Sequence, residues 1–359
     1  LTRVLAVLTA RNEGAFLLEW LAHHQAAGFT DFLVFSNDCA DGTDTMLDRL
    51  AALGQVTHVP NPGPHPQGPQ WRALNLAGLH PLRRQADWVL CLDVDEFVNI
   101  HAGDHTVGAL LAALPGATAI PLTWRLFGNG GVVGFEDRPV TDTFTRAAPA
   151  VLHWPWRAAL FKTLFRDDGS YAKLGVHRPR APDPARLAAQ VWVDGSGRPL
   201  PEGYRTGGIF SPFGRDNYAL AQLNHYALGA MESYLVKCDR GRANRDAAGF
   251  DMGYWVERNF CDAEDRTIAA LAPARDRLLA GLHADPALAR LHAAAVAWRQ
   301  ARFTALMQDE AWRALFGRLL MTPPSRALSA AEAAPLLRHA VAARSAGAAA
   351  RRGRPDAGG

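Results

Sequence analysis

The first hundred residues alternate short apolar runs with stretches of helical spacing, and that alternation limits the fold more than any other feature of the chain. Val4 to Thr9, Asp31 to Ser36, Val56 to Val59 and Trp88 to Leu92 are runs of strand length, rich in β-branched and aromatic residues. Between them Phe16, Leu17, Trp20 and Leu21 recur at helical spacing before Gly28, and Met46 to Leu53 and Leu74 to Arg84 repeat the pattern. Strands and helices in this order predict an α/β domain with a parallel sheet. Ligands of such sheets bind beyond the carboxyl ends of the strands, where Arg11 to Gly14, Asn37 to Asp41 and Asp93 to Glu96 would converge.

The third cluster is the most demanding. In WVLCLDVDEF, a buried run leads straight into Asp93, Asp95 and Glu96. Carboxylates this close repel one another unless solvent screens them or a positive charge sits between them. If strand geometry persists, Asp93 and Asp95 share a face and can share one ion. A hard divalent cation, Mn²⁺ or Mg²⁺, takes one or two carboxylates plus phosphate oxygens of a substrate. The competing reading is a solvated acidic turn.

Composition excludes several classes. A chain of 359 residues, 48% hydrophobic and 20% charged, is that of a globular protein, and a net charge of +3 is too small and too scattered for a dedicated nucleic-acid protein. Cys39, Cys91, Cys238 and Cys261 are far apart with no Cys-x-x-Cys pair, which argues against a zinc ribbon or a disulfide scaffold and for a reducing compartment. No run approaches the ~18–20 apolar residues of a membrane span, and the start of the chain lacks a signal-peptide pattern. The expected location is the cytoplasm. Because the chain begins at Leu1, a short upstream piece is expected as well.

Further along, Ala119 to about Lys173 reads as strands and loops, and His177 to Gly214 as a long loop region with a short strand at Val191 to Val193. Met231 to Arg240, Ile268 to Leu282 and Ala287 to Leu320 have helical spacing. Residues 346–359 are low in complexity and expected to be disordered.

Three blocks occur in sequence: RNEGAFLLEWLAHHQAAGF, DFLVFSNDCADGTDTML and DWVLCLDVDEFV. In that order and spacing the chain resembles bacterial glycosyltransferases of the family 2 type, especially the branch similar to glycosyltransferase family 92. TWRLFGNGG, Lys162, His177 and NHYALGAMESYLVKCDRG extend the resemblance to about residue 245. It implies a GT-A fold over 1–245, with a mainly helical extension over 246–345 before the tail. It also implies a UDP- or GDP-linked sugar donor, a divalent metal held by the Asp-x-Asp, and inversion at the anomeric carbon.

Carried onto this chain, the resemblance puts Thr9, Arg11, Asn12 and Glu13 beside the nucleotide, and Asn37 and Asp38 near base or ribose. Asp93 would face ribose or metal, and Asp95 would be the more direct metal ligand. His225 and His177 compete as a further metal ligand or diphosphate contact, against the plainer reading of packed histidines. Lys162 is either a phosphate or acceptor contact or a solvent-facing lysine at a strand edge. For the catalytic base Glu136 and Asp137, after the glycine-rich FGNGGVVGF, are preferred over Asp216. Trp124, Trp154 and Trp156 are candidates to stack on a sugar or to fill the core.

Lys237, Arg240, Arg242 and Arg245 read first as a solvated helical face, and second as a diphosphate site or a patch for the inner membrane surface. The acceptor is expected to be a glycan or a lipid-linked hydroxyl, with no nucleic-acid partner. Two other readings are a nucleotide-sugar-binding module without turnover and an aspartate-dependent phosphatase. The phosphatase would want a small hydroxyl residue two positions beyond the second Asp, where Phe97 stands.

Overall fold

A computed structural model describes residues 2–241 and 251–352. Its strands are β1 (Val4–Ala10), β2 (Asp31–Ser36), β3 (Thr57–Pro60), β4 (Trp88–Leu92), β5 (Glu96–Ile100), β6 (Ala119–Leu126), β7 (Arg146–Ala147), β8 (Phe161–Arg166), β9 (Tyr171–Lys173), β10 (Arg180–Pro182), β11 (Ala221–His225) and β12 (Ala263–Glu264). The helices are α1 (Gly14–Ala26), α2 (Thr43–Ala52), α3 (Pro69–Leu79), α4 (Pro81–Gln85), α5 (Val107–Ala113), α6 (Val140–Thr143), α7 (Met231–Arg240), α8 (Met252–Val256), α9 (Ala272–His283), α10 (Pro286–Leu306), α11 (Glu310–Met321) and α12 (Ala330–Arg352). The α/β class and the helical C-terminal portion are those expected. Leu74 to Arg84 is two helices rather than one, because His80, preceding Pro81, is extended at φ −70° and ψ 142°. Residues 346–352 continue α12, and 353–359 lie outside the described residues.

Eight strands form the main sheet in the order β3-β2-β1-β4-β8-β6-β11-β5. The pairs β2/β3, β1/β2 and β1/β4 are parallel, whereas β8 runs antiparallel to both β4 and β6. Strand β1 obeys the two-residue period: Val4, Ala6, Leu8 and Ala10 enter one core, and Leu5 and Val7 the other. The chain leaves β1 for β2 on one side and returns to β4 on the other, so the crevice at the carboxyl ends of β1 and β4 is the switch point of the sheet.

Only Asp93 to Asp95 separate β4 from β5, yet three strands lie between them in the sheet order. Four residue steps reach about 13 Å, and four strand spacings on a flat sheet need about 19 Å. The sheet therefore curls, and the acidic turn bridges its two ends.

Helix α1 seals the gap. The Trp20 indole donates to the Glu96 carbonyl at 3.1 Å, and His23 Nε2 lies 2.8 Å from the Val98 carbonyl. The paired histidines of the first block thus clamp β5. The extension packs back onto the same helix: α9 and α10 lie against α1, and Asp285 at the start of α10 pairs with Arg49 of α2 at 2.5 Å.

Candidate active site

The loops after β1 and β2 lock each other. Asn12 takes a left-handed conformation, φ 53°, and its Oδ1 accepts from the Ala40 amide at 2.7 Å. Asp41 accepts from the Gly14 amide and from Thr43, while the Thr43 hydroxyl accepts from the Glu13 amide, all at 2.9 Å. These bonds commit Asp41 and Thr43 of the second block to shaping the rim. Thr9, Arg11, Glu13 and Asn37 line a cavity of about 350 Å³ at the switch point. Asn12 and Asp38 stand behind its wall, with Asp38 accepting from the Gly63 amide at 3.2 Å.

The acidic turn forms another part of the wall. Strand geometry ends at Leu92, so the shared-face argument for Asp93 and Asp95 does not apply as stated. Each carboxylate has its own lysine instead. Lys162 Nζ lies 2.8 Å from Asp93 and 3.3 Å from Glu96, and Lys237 Nζ lies 2.6 Å from Asp95. Gln70 adds a 3.0 Å hydrogen bond to Asp93.

Burial alone would raise the Asp95 carboxyl, but Lys237 and His225 outweigh it and hold it far below the usual range. Burial likewise opposes the Lys162 ammonium, and Asp93 and Glu96 overcome it, so its pKa is raised. Glu96 is pushed by burial up to about 8 against the pull of Lys162. Far from being a solvent-facing edge lysine, Lys162 is 1% exposed near the start of β8. A strand-edge reading failed because β6 and β4 cover both sides of β8.

His225, at the end of β11, places Nε2 3.7 Å from Asp95, and its ring lies 4.2 Å from that of Trp124. Its Nδ1 is buried without a hydrogen-bond partner. Trp124 in turn donates to Glu96 at 2.7 Å, so it positions the acidic turn and the histidine together. His177 also lines the cavity, with Nδ1 3.0 Å from the Phe161 carbonyl, and burial lowers its pKa to about 4. Trp154 and Trp156 pack on each other at 4.6 Å, away from this wall.

Two of the four basic residues of the late helical segment turn inward rather than to solvent. Lys237 meets Asp95, and Arg240 pairs with Glu13 and donates to the Arg11 carbonyl at 2.8 Å. Arg242 and Arg245 lie outside the described residues. Gln70, Arg157, Arg258, Tyr254 and Arg299 also reach the site region, and none was singled out from sequence. Arg299, from α10, is 4% exposed; it donates to Ser233 Oγ at 2.8 Å and to the Asn12 carbonyl at 3.2 Å. Burial lowers its pKa to about 10, so it stays charged near neutrality. Isolated arginines in an Ala/Leu-rich helix carry no local signal of this role.

A second cavity, about 410 Å³, adjoins the first, and Glu13, Val94, Asp95 and Lys237 belong to both walls. Glu136 lies on its lining at the exposed mouth, 3.8 Å from Arg138. Asp137 points elsewhere and pairs with His292 of α10 at 2.9 Å. Asp216 is on neither wall. Among the described residues no group of three or more His, Cys, Asp or Glu side chains is arranged around a metal position, and no helix is long and apolar enough to cross a membrane.

Residues 9–184 match the model of glycosyltransferase family 92. The chain is 31% identical over 96 residues to a glycosyltransferase family 92 protein of Ricinus communis, covering 26% of this chain and 16% of that protein. It is 24% identical over 143 residues to one of Oryza sativa subsp. japonica, covering 38% and 23%. The chain thus spans less than a quarter of either curated relative. Among solved structures, residues 1–349 of S. aureus TarS in complex with UDP are similar at 14% identity and a TM-score of 0.26, covering 38% of each chain. Glucosyl-3-phosphoglycerate synthase from Mycobacterium tuberculosis with Mg²⁺ and UDP gives 18% identity and a TM-score of 0.24, covering 34% of this chain and 44% of that one. Over residues 9–184, the segment that carries Thr9, Asn37, the acidic turn, Lys162 and His177, this chain is similar to glycosyltransferase family 92.

Proposed function

We propose that this protein is a metal-dependent, inverting glycosyltransferase with a GT-A domain, moving a sugar from a UDP- or GDP-linked donor to an acceptor hydroxyl. The observation that carries the reading is the charge of the switch-point cavity. Arg11, Arg157, Lys237, Arg240 and Arg258 line it against the three carboxylates Glu13, Asp93 and Asp95. Such an excess of positive charge, at the carboxyl ends of parallel strands, suits a diphosphate. The family 92 match supports the same conclusion.

The donor types present, carboxylate and imidazole, are ones that a divalent cation accepts. Asp95 and His225 offer a carboxylate and an imidazole side by side on the cavity, and Asp93 stands on the same turn. Those residues would hold Mn²⁺ or Mg²⁺, with His177 a further candidate on the wall. A bound ion supplies charge neutralisation to the leaving diphosphate. Lys237 already sets a fixed positive charge against Asp95 and, with Arg240 and Arg258, stabilises the same developing negative charge.

In this reading Thr9, Arg11 and Asn37 border the nucleotide, and the acceptor enters through the second cavity. The acceptor oxygen bonds to the anomeric carbon as the bond to the diphosphate oxygen breaks, and the diphosphate leaves with the electron pair. Glu136 accepts the hydroxyl proton, whereas Asp137 is committed to His292 and positions the loop. Residues 1–245 form the catalytic domain, and the 246–345 extension completes its wall through Arg258 and Arg299. The four cysteines are free thiols, which supports a cytoplasmic location, with peripheral contact to the inner membrane surface as part of the same reading.

Calorimetric titration of UDP and GDP, with and without Mn²⁺, into wild type and Asp95→Asn tests the reading. One nucleotide should bind in a metal-dependent manner, at least tenfold more weakly in the variant. Absence of binding under every condition would remove the donor. Release of free nucleotide from the matching sugar donor separates an enzyme from a binding module, and the anomeric configuration of the product by NMR tests inversion.

A further inference from the structure

We propose that the acceptor of this enzyme carries an apolar body, an aryl or alkyl group, next to its reacting hydroxyl, rather than being a free oligosaccharide. The inference rests on the glycosyltransferase reading and on the chemistry of the second cavity. Its walls include Phe16, Val132, Phe135, Phe144 and Leu228. Phe16 and Phe135 meet edge to face at 5.9 Å, and the Arg299 guanidinium lies over Phe16 at 4.5 Å, so these rings have fixed orientations.

Most polar side chains of this cavity already bond to the protein, Ser233 and Tyr226 as acceptors. Both Asp142 oxygens accept from Arg275, at 3.0 and 2.9 Å. Ser233 Oγ accepts from Arg299 at 2.8 Å, the Thr143 hydroxyl donates to the Pro139 carbonyl at 2.8 Å, and the Tyr226 hydroxyl accepts from Asn224 at 3.0 Å. What remains is polar only at two ends. Glu136 and Arg138 stand at the exposed mouth, and Glu13, Asp95 and Lys237 stand on the wall shared with the donor cavity.

A compound bearing hydroxyls on every side would leave several of them against phenyl and aliphatic walls, where each lost hydrogen bond to water goes uncompensated. An apolar ring or chain fills that space favourably, and a single hydroxyl at its end meets the polar wall. The arrangement therefore favours an acceptor whose reactive hydroxyl sits beside an apolar group.

Ligand-observed NMR titration of the full chain with glucose, cellobiose, phenyl β-glucoside and octyl β-glucoside, the last below its micelle concentration, tests this directly. At least one of the two apolar glucosides should bind about tenfold more tightly than glucose, and cellobiose no more tightly than glucose. The better of the two identifies an aryl or an alkyl body. Phe135→Ser and Val132→Asn, both at partly exposed loop positions, should bring the apolar glucosides to within about threefold of glucose. Cellobiose matching or exceeding both apolar glucosides, or a preference unchanged in the two variants, would overturn the proposal. UDP and GDP titrations on the same samples separate the failures. Nucleotide binding without an apolar preference sinks the acceptor class alone, and an apolar preference without nucleotide binding sinks the donor reading.

Discussion

The two halves of the main sheet serve the site in opposite ways. The parallel half, β3-β2-β1-β4, contributes what lies beyond its strand ends: Thr9 to Glu13, Asn37 and the acidic turn. The mixed half, β8-β6-β11-β5, contributes side chains held inside its strands, namely Lys162, Trp124 and His225, all below 10% exposure. Acids are thus placed by a local turn, and the positive charges opposite them by pairing across the chain. Asp93 and Lys162 are 69 residues apart, and Asp95 and Lys237 are 142 apart. A charge placed by a loop can move; one placed by a strand is fixed by the whole sheet.

The sharpest way to break that contrast is Lys162→Met. It leaves Asp93 and the fully buried Glu96 facing each other without a cation, and removing one partner of a buried pair costs about 3–5 kcal/mol. Urea denaturation should show a loss of that size; a loss below about 1 kcal/mol would mean the sheet does not depend on this charge.

Acid sharpens it next. Burial holds His23 neutral in its contact with β5, its pKa lowered to about 4 from an ordinary 6.5, and burial lowers that of His24 further. In that window the unfolded chain binds more protons, so stability is whole above about pH 6.5 and falls as pH drops toward 4. For His23 alone the loss approaches about 3 kcal/mol. The pH dependence of the urea midpoint should show the slope, and His23→Asn should flatten it.

Within the loops, Glu136→Gln should lower turnover about a hundredfold with nucleotide affinity unchanged, and Asp137→Asn less than tenfold. Equal losses would move the base off Glu136. The smallest effect is expected from Gln70→Ala, which removes one hydrogen bond to Asp93 and should cost about 1 kcal/mol of stability.

What could be read in the sequence follows the same division. Strands β1, β2 and β4 and helix α7 carry their own periodicity, and their bounds agree closely with the structure. The acidic turn announces itself by composition. Strand β5 did not, because EFVNI follows the acids with no turn residue to mark it, and its partner β11 lies more than a hundred residues later. Lys162 and Lys237 look like any other lysines in a strand and a helix; only sheet order and the packing of α7 bring them to the carboxylates. Arg299 was invisible for the same reason, lying 287 residues from the carbonyl it meets.

That last separation also orders events in time. A chain made from its amino end at about 5–20 residues per second has the acidic turn and the β1 and β2 loops in hand well before α10 emerges. Until then the Asn12 carbonyl lacks the guanidinium that will cover it, and the second cavity lacks the buried charge on its wall. The nascent protein would hold the loops of the first cavity before the second cavity has its arginine.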